Sequence, residues 1–463
     1  MSGMKFLIAI IGGGIGGASS AYFLRKLIPL GTNVEIHLFN EGSIGGRLTT
    51  IQMQYNGKMH MFEAGGSVLH PANMYFKNWM KEFGLSRKEK PNGNDVMGIW
   101  NGQEFVFMKS SWYLITVYRL LRRYGFDQLK SLFEIKRLLS DFENVYTLLN
   151  QGEYFDTTDA MVMAMSTHLA ELVNKTMKEH LIESGYHDSF VTEFIGAVLN
   201  SNYGQTVQEV SAFVGSVGLA GSVSGLYSVN GSNKLVVEKL IDYAKVKLIS
   251  VEVATISKHN NQFSLYGSDG HELGANYDYV IVAVPLHQKQ QIQIEGVNWE
   301  NQRGKFKKII ATFVQGTLRV AHWSLPENDL LTTIIACNTS LPYNSIGELS
   351  PVDYQKTELF PVAGSNRIWK IFSSENQTDA YLSLLFSGIK KVKRVSFLAY
   401  PEYKQDPADR PKFRLAKNIC FVNAVEWLAS SIEMSAIGGR NCVNMILKDS
   451  GLLEVNKTSK TEL

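Results

Sequence analysis

The run Gly12-Gly13-Gly14-Ile15-Gly16-Gly17 constrains this chain most. It stands between an apolar β-branched stretch, Phe6 to Ile11, and a stretch of helical character, Ala18 to Leu27. A strand, a glycine turn and a helix in that order make the opening unit of an α/β dinucleotide fold. In such a unit Gly12 permits the tight turn, Gly14 lets a pyrophosphate reach the backbone, and Gly17 lets the helix close on the strand. Ile15 and Gly16 begin the helix, whose N-terminus carries about half a positive charge and suits a diphosphate. An ordinary glycine-rich turn is the alternative, and the flanking strand and helix disfavour it.

A second glycine element follows a second predicted strand, Val34 to Phe39, and reads Glu41-Gly42-Ser43-Ile44-Gly45-Gly46-Arg47-Leu48. Large flavoproteins often carry such an element and nicotinamide enzymes rarely need it, so FAD is favoured over NAD. Gly45 and Gly46 let backbone approach the cofactor, and Arg47 offers a planar charged fork to phosphate or ribose oxygens. The acidic residue expected for the adenosine ribose falls at Asn40 or Glu41, with the register open by one position. Asn40 can accept a ribose hydroxyl without charge assistance, while Glu41 either does so or caps the loop. A third element, Glu63-Ala64-Gly65-Gly66-Ser67, is a small-residue loop able to lie against a flat ring, or else a plain turn.

With 463 residues, 45% apolar and 19% charged, the chain can bury a large core and build two interleaved domains. A formal charge of +3 is small for this length and gives no reason to expect a nucleic-acid partner. Cys337, Cys420 and Cys442 are odd in number and widely spaced, which suggests neither a disulfide framework nor a metal site. No apolar segment is long enough to cross a membrane, and a cleavable leader is not expected, since removing Phe6 to Ile11 would destroy the glycine motif. Five Asn-x-Ser/Thr sequons, at Asn174, Asn230, Asn338, Asn376 and Asn456, are mild evidence for a lumenal glycoprotein.

From Ser110 to Asn150 apolar positions recur at helical steps, with Arg119, Arg122, Arg123, Lys130, Lys136 and Arg137 between them. Such a face is usually solvated; peripheral contact with a membrane surface is the alternative. Asp278 to His287 is a buried-strand pattern ended at Pro285, which predicts a returning strand of a parallel sheet. Ile419 to Trp427 is another, followed by a small-residue helix through Asn444 that Ser430 or Ser431 can cap. The helix start at Ser431 and Ile432 could aim its dipole at the pyrimidine end of a flavin.

These elements, in this order, resemble prenylcysteine oxidases. The discriminating stretches are Val229-Asn230-Gly231-Ser232-Asn233-Lys234-Leu235-Val236 and Asn423-Ala424-Val425-Glu426-Trp427, with Asn202-Tyr203-Gly204-Gln205 and Val284-Pro285-Leu286-His287 in support. The resemblance implies a Rossmann-like FAD-binding domain of GR2-type flavoprotein architecture, interleaved with a mixed α+β substrate domain containing a helical insertion. The expected division is 1–75, 226–290 and 412–450 for FAD, 76–225 and 291–411 for substrate, and a polar tail at 451–463. Glu426, Ser431 and Ile432 join the cofactor-binding set on the same ground. The implied activity is oxidation of the thioether of farnesyl- or geranylgeranyl-cysteine by hydride transfer to FAD, with molecular oxygen as acceptor. Cysteine, an isoprenoid aldehyde and hydrogen peroxide are the products, and the compartment is the lysosome. The leader and the ribose acid of that family are not seen at their places here. Lys460-Thr461-Glu462-Leu463 departs from an endoplasmic-reticulum retrieval signal at Thr461. A flavin amine oxidase and a catalytically silent lipid- or protein-binding relative are the rival readings.

Hydride loss from a carbon beside both sulfur and an allylic double bond needs no strong base, so the lack of a His/Asp/Ser constellation is no objection. His287, at a strand end, and Glu433, at a helix start, are the only candidates for a direct catalytic role, and a structural role is favoured for both. The insertion Trp79 to Leu219 is the expected wall of an isoprenoid tunnel. Trp112, Tyr113, Tyr118 and Phe194 would line it or, more in keeping with aromatics at helical spacing, form plain core.

Overall fold

The apolar run at the N-terminus is the strand Lys5–Ile11 (β1), and it reads as unbroken because it lies inside a sheet covered on both faces. The computed structural model describes residues 5–90, 96–110, 112–222, 225–289, 291–297, 304–327, 329–356, 367–404 and 410–452. On one side of β1 are Asn33–Phe39 (β2) and Lys247–Ile249; on the other are Tyr279–Val282, Ile419–Phe421 and Arg414–Ala416. Every pair is parallel except the last. The predicted returning strand is therefore present, pairing Ile8 to Ile11 with Tyr279 to Val282.

The helix Ile15–Leu27 (α1) packs on the C-terminal helix Ile432–Asp449 through small residues. A Cβ on Gly439 would lie 2.9 Å from the Gly16 carbonyl oxygen, so neither helix tolerates bulk at the crossing. The buried pattern from Ile419 to Trp427 is not one strand as expected. It stops at Phe421 and coils into a 3-10 turn, Val422–Trp427. That turn seats Val422 and Val425 against Gly438, where a Cβ would come 3.0 Å from Val425 Cγ1.

The expectation of no disulfide is corrected here. Cys420 on the strand and Cys442 on the helix are bonded, with Cα atoms 5.7 Å apart, while Cys337 is free and half-buried. Two cysteines 22 residues apart are invisible as a pair until strand and helix stack.

A seven-stranded sheet forms a second body of structure. Its order is Phe386–Pro401, Phe306–Leu318, Ile368–Ser373, Ser345–Leu349, Thr333–Ala336, Met97–Trp100 and Phe105–Met108. The hairpin Thr50–Tyr55 and Lys58–Glu63 packs on it through Ile51, Met53 and Phe62 against Ala311, Phe313 and Ile368. That contact carries the chain directly from the second glycine element to the sheet. Residues 113–220 are helical, from Tyr113–Tyr124 and Asp127–Phe142 to Ala212–Ala220, with a π-helical turn at Phe190–Ile195. Among the described residues no helix is long and apolar enough to cross a membrane.

Candidate cofactor-binding site

The carboxyl ends of β1, β2 and Tyr279–Val282 converge on Gly12. Its N–H donates to the Phe39 carbonyl at 2.8 Å, and its φ of +109° belongs to glycine alone. A Cβ there would lie 2.6 Å from the Ala283 carbonyl oxygen, and one on Gly17 would overlap that of Gly12. Gly14 differs. It is the N-cap of α1, and a Cβ on it would meet nothing nearer than the Gly45 carbonyl oxygen at 3.9 Å. No side chain caps the helix and its first turn holds no acid, so the N–H groups of Ile15, Gly16 and Gly17 point out of the helix end with no acceptor among the described residues.

The other glycine loops extend this open space into one track. Gly45 N–H donates to the Gly13 carbonyl at 2.8 Å, and Gly14 bridges to Gly45. Gly66 N–H donates to the Arg47 carbonyl at 3.0 Å, and a Cβ on Gly66 would meet Ile432 Cδ1 at 3.2 Å. Ile432 opens the C-terminal helix, which Ser431 caps by accepting Met434 N–H at 3.2 Å. Gly65, which could hold no Cβ beside the Arg47 carbonyl, and half-buried Ser67 complete the third loop. Open backbone donors, absent side chains and two helix N-termini fit the diphosphate and flat ring of FAD.

The two residues expected near the ribose differ in their partners. Asn40 is committed to the turn: its Oδ1 accepts Gly13 N–H at 2.8 Å, and its Nδ2 donates to the Glu41 and Gly42 carbonyls, both at 3.1 Å. Glu41 is exposed, and its carboxylate caps nothing among the described residues.

Arg47 does not present its fork to the track. Both Nη atoms donate to the carboxylate of Glu426, and Nη1 also donates to the Ala399 carbonyl at 2.6 Å. Glu426 is wholly buried and accepts further from Asn423 Nδ2 at 2.7 Å and Ser435 Oγ at 3.4 Å. A buried carboxylate requires a charge partner, and Arg47 is that partner. Burial opposes the Arg47 charge, but Glu426 beside it raises the guanidinium above its ordinary value. The two residues brace the track together rather than lining it with charge.

The discriminating stretches prove to be braces as well. Asn233 accepts Val229 N–H at 2.8 Å, gives its own N–H to Glu63 Oε1 at 2.8 Å, and donates from Nδ2 to the Gly66 carbonyl at 3.1 Å. Gln205 accepts Tyr403 N–H at 2.8 Å and donates to the Pro401 carbonyl at 3.0 Å. The Tyr403 hydroxyl in turn accepts Ser430 N–H at 2.8 Å, one residue before the helix cap. Sequence reading missed two lysines near the third loop, buried Lys370 and half-buried Lys88. Lys370 Nζ donates to the Glu63 carbonyl at 3.3 Å, and burial pulls both Lys370 and Lys88 down to about 8. The one available cue was a lysine inside the apolar strand Ile368-Trp369-Lys370-Ile371-Phe372.

Neither catalytic candidate faces the track as a free group. The Glu433 carboxylate accepts Tyr75 N–H at 2.7 Å, Phe76 N–H at 3.3 Å and the Tyr146 hydroxyl at 2.9 Å, so it caps the helix Met74–Glu82. Burial raises it to about 7 against the pull of those three donors. His287 is buried, takes Lys289 N–H on Nδ1 at 3.2 Å, and lies 5.5 Å from the Phe306 ring. Trp112, Tyr113 and Tyr118 are neither core nor tunnel lining: they are 73%, 78% and 61% exposed. Phe194 stacks on Phe190 at 5.2 Å. Of the sequons, Asn174, Asn338 and Asn376 are exposed and Asn230 is half-buried; Asn456 and the terminal Lys460 to Leu463 lie outside the described residues.

A family model described as prenylcysteine lyase matches residues 107–455, and one described as an NAD(P)-binding Rossmann-like domain matches residues 10–83. Prenylcysteine oxidase 1 of Pongo abelii is 35% identical over 452 residues, which cover 94% of this chain and 87% of that protein. The Homo sapiens protein of the same name gives the same figures. Among solved structures, putrescine oxidase bound to putrescine is 15% identical with a TM-score of 0.58, covering 96% of this chain and 99% of that one. Cyclohexylamine oxidase from Brevibacterium oxydans IH-35A is 14% identical with a TM-score of 0.59, covering 97% of this chain and 100% of that one. At such identities these two share the fold.

Proposed function

The chain belongs to the prenylcysteine lyase family, and from that premise we propose that it is an FAD-dependent oxidase of the thioether in farnesyl- or geranylgeranyl-cysteine. Water adds to the oxidised carbon and the C–S bond breaks, so the products are cysteine, an isoprenoid aldehyde and, by reduction of molecular oxygen, hydrogen peroxide. The observation that carries this reading is the reach of the family match, which runs from residue 107 to 455 and so spans the helical insertion and most of the seven-stranded sheet. Bound in the glycine track, FAD supplies a two-electron acceptor for the carbon that bears sulfur.

The chain's own groups bind and orient. The first-turn N–H groups of α1 receive the diphosphate, Glu41 receives the ribose hydroxyls, and Gly65 and Gly66 leave room for the ring. Glu433 and His287 hold scaffold elements and are given no proton to move. Burying an isoprenoid tail at about 25 cal/mol per Å² contributes several kcal/mol, the main source of substrate affinity. Molecular oxygen is the final acceptor, and peripheral contact with a lipid surface belongs to the same reading. We assign the reaction to the lysosome lumen; the Cys420–Cys442 disulfide and the exposed sequons at Asn174, Asn338 and Asn376 support an oxidising, glycosylating route.

The test is anaerobic mixing of the yellow holoenzyme with farnesylcysteine while the visible flavin absorbance is followed, then admission of air. Bleaching, recovery, peroxide and farnesal are expected. Bleaching by a primary amine and not by the thioether would make the protein an amine oxidase. A flavin that stays oxidised with both would make it a silent relative.

A further inference from the structure

Ten of the twenty large hydrophobic side chains exposed among the described residues fall within the 22 residues from Trp112 to Phe133. They therefore belong to one surface and not to the scattered exposure usual for a soluble chain. The helix Tyr113–Tyr124 buries only Tyr124, and exposes Leu114 and Tyr118 one turn apart just after Trp112. The next helix, Asp127–Phe142, is inverted. Its inward face holds Asp127, Ser131, Ile135 and Leu138, while Leu129, Leu132 and Phe133 face out, Phe133 being 74% exposed. The two helices pack on one another across Gly125.

The charges on this surface are sorted as well. The three carboxylates of the second helix, at seven-residue steps, are each paired with a histidine: His168 and His180 on the helices Thr167–Val173 and Met177–Glu183, and exposed His187 on the link that follows them. Asp127 meets His187 at 2.9 Å, Glu134 meets His180 at 3.7 Å and Asp141 meets His168 at 2.8 Å. Arg122, Lys136 and Arg137 stay exposed and form no ion pair among the described residues, and Lys136 stands one turn from Leu132 and Phe133. Apolar and aromatic side chains beside these cations, with the acids paired to histidines, match the headgroup and acyl boundary of an anionic bilayer.

We propose that the helices Tyr113–Tyr124 and Asp127–Phe142 form a docking face for an anionic lipid surface. This deepens the peripheral contact included in the functional reading, and a vesicle experiment without substrate tests it separately from catalysis. Holoenzyme is sedimented with vesicles of phosphatidylcholine, and with vesicles in which about a quarter of the lipid is phosphatidylserine. Binding to the anionic vesicles, weakened by high salt, is expected. The variant Trp112→Ser/Leu132→Ser/Phe133→Ser should lose at least about tenfold in partitioning while keeping its flavin content and Tm. Partitioning unchanged in the variant, or equal on neutral vesicles, overturns the proposal. So does a wild-type dimer seen by light scattering that the variant abolishes, since the face would then be covered by a second copy of the chain.

Discussion

The C-terminal helix Ile432–Asp449 and the helix Asp127–Phe142 are similar in length and opposite in environment. The first buries every residue from Glu433 to Leu447, including Arg440, Asn441 and Asn444; the second buries Asp127 and Ser131 and leaves Leu129, Leu132 and Phe133 outside. In the first, each of these polar groups answers another element. Asn441 pairs with both the N–H and the carbonyl of Phe155 at 2.8 and 2.9 Å, and Asn444 donates to the Leu149 and Glu153 carbonyls, both at 2.7 Å. The difference teaches that polarity by itself does not decide burial here. A buried polar group needs its hydrogen-bond partner, and an exposed apolar stripe needs one outside the fold.

The largest effect is expected when a partner on the inward side is removed. Arg47→Met should cost about 3–5 kcal/mol in denaturant unfolding, because it strands the buried Glu426 carboxylate; adding Glu426→Leu should recover most of that. A single-variant loss no larger than that of a surface ion pair would show that Arg47 does not stabilise Glu426. Cys442→Ser opens a link spanning 22 residues and should cost about 3 kcal/mol by the same measurement.

Glu433 makes the buried side of the molecule sensitive to pH. Its folded value of about 7 lies above the ordinary 4.5, so the folded protein keeps a proton that the unfolded chain releases between those values. Stability from this group is present in acid and is lost as pH rises through that window, by up to about 3 kcal/mol. The Tm difference between wild type and Glu433→Gln, measured at about pH 5 and about pH 8, should shift against the wild type at the higher pH. A pH-independent difference would contradict the assignment.

Smaller effects on stability are expected where the space is empty. Gly14→Val should change apoprotein stability by under about 1 kcal/mol yet purify without flavin, since its side chain enters the track and not the protein. A yellow Gly14→Val protein would remove Gly14 from the cofactor site. Phe133→Ser should move stability by no more than about 0.5 kcal/mol, as befits a side chain the fold does not use.

Much of the first sheet was legible because its cues are local: Phe6 to Ile11 before a glycine turn, Asp278 to His287 ended by proline, Ser431 before a helix. The roles of Arg47 and Glu426 were not, because 379 residues separate them and either could have met a ligand instead. The position of Asn40 was legible and its task was not, since the nearest acceptor-seeking group is Gly13 N–H across the turn. Trp112, Tyr113 and Tyr118 misled, because helical periodicity shows that a face exists without showing which side of it is water.

Residues close along the chain were enough to announce a dinucleotide fold, a flavin-sized run of glycine loops and a family. Glycine, proline and capping residues act on their own backbone, and that information survives in any context. What waited for the tertiary structure was every pairing of distant groups. Arg47 with Glu426, Cys420 with Cys442, Glu433 with the helix at Met74, and the outward turn of Leu129, Leu132 and Phe133 depend on which surfaces meet when the helices stack. Burial and hydrogen-bond satisfaction are properties of the packed molecule, and no single stretch of chain contains them.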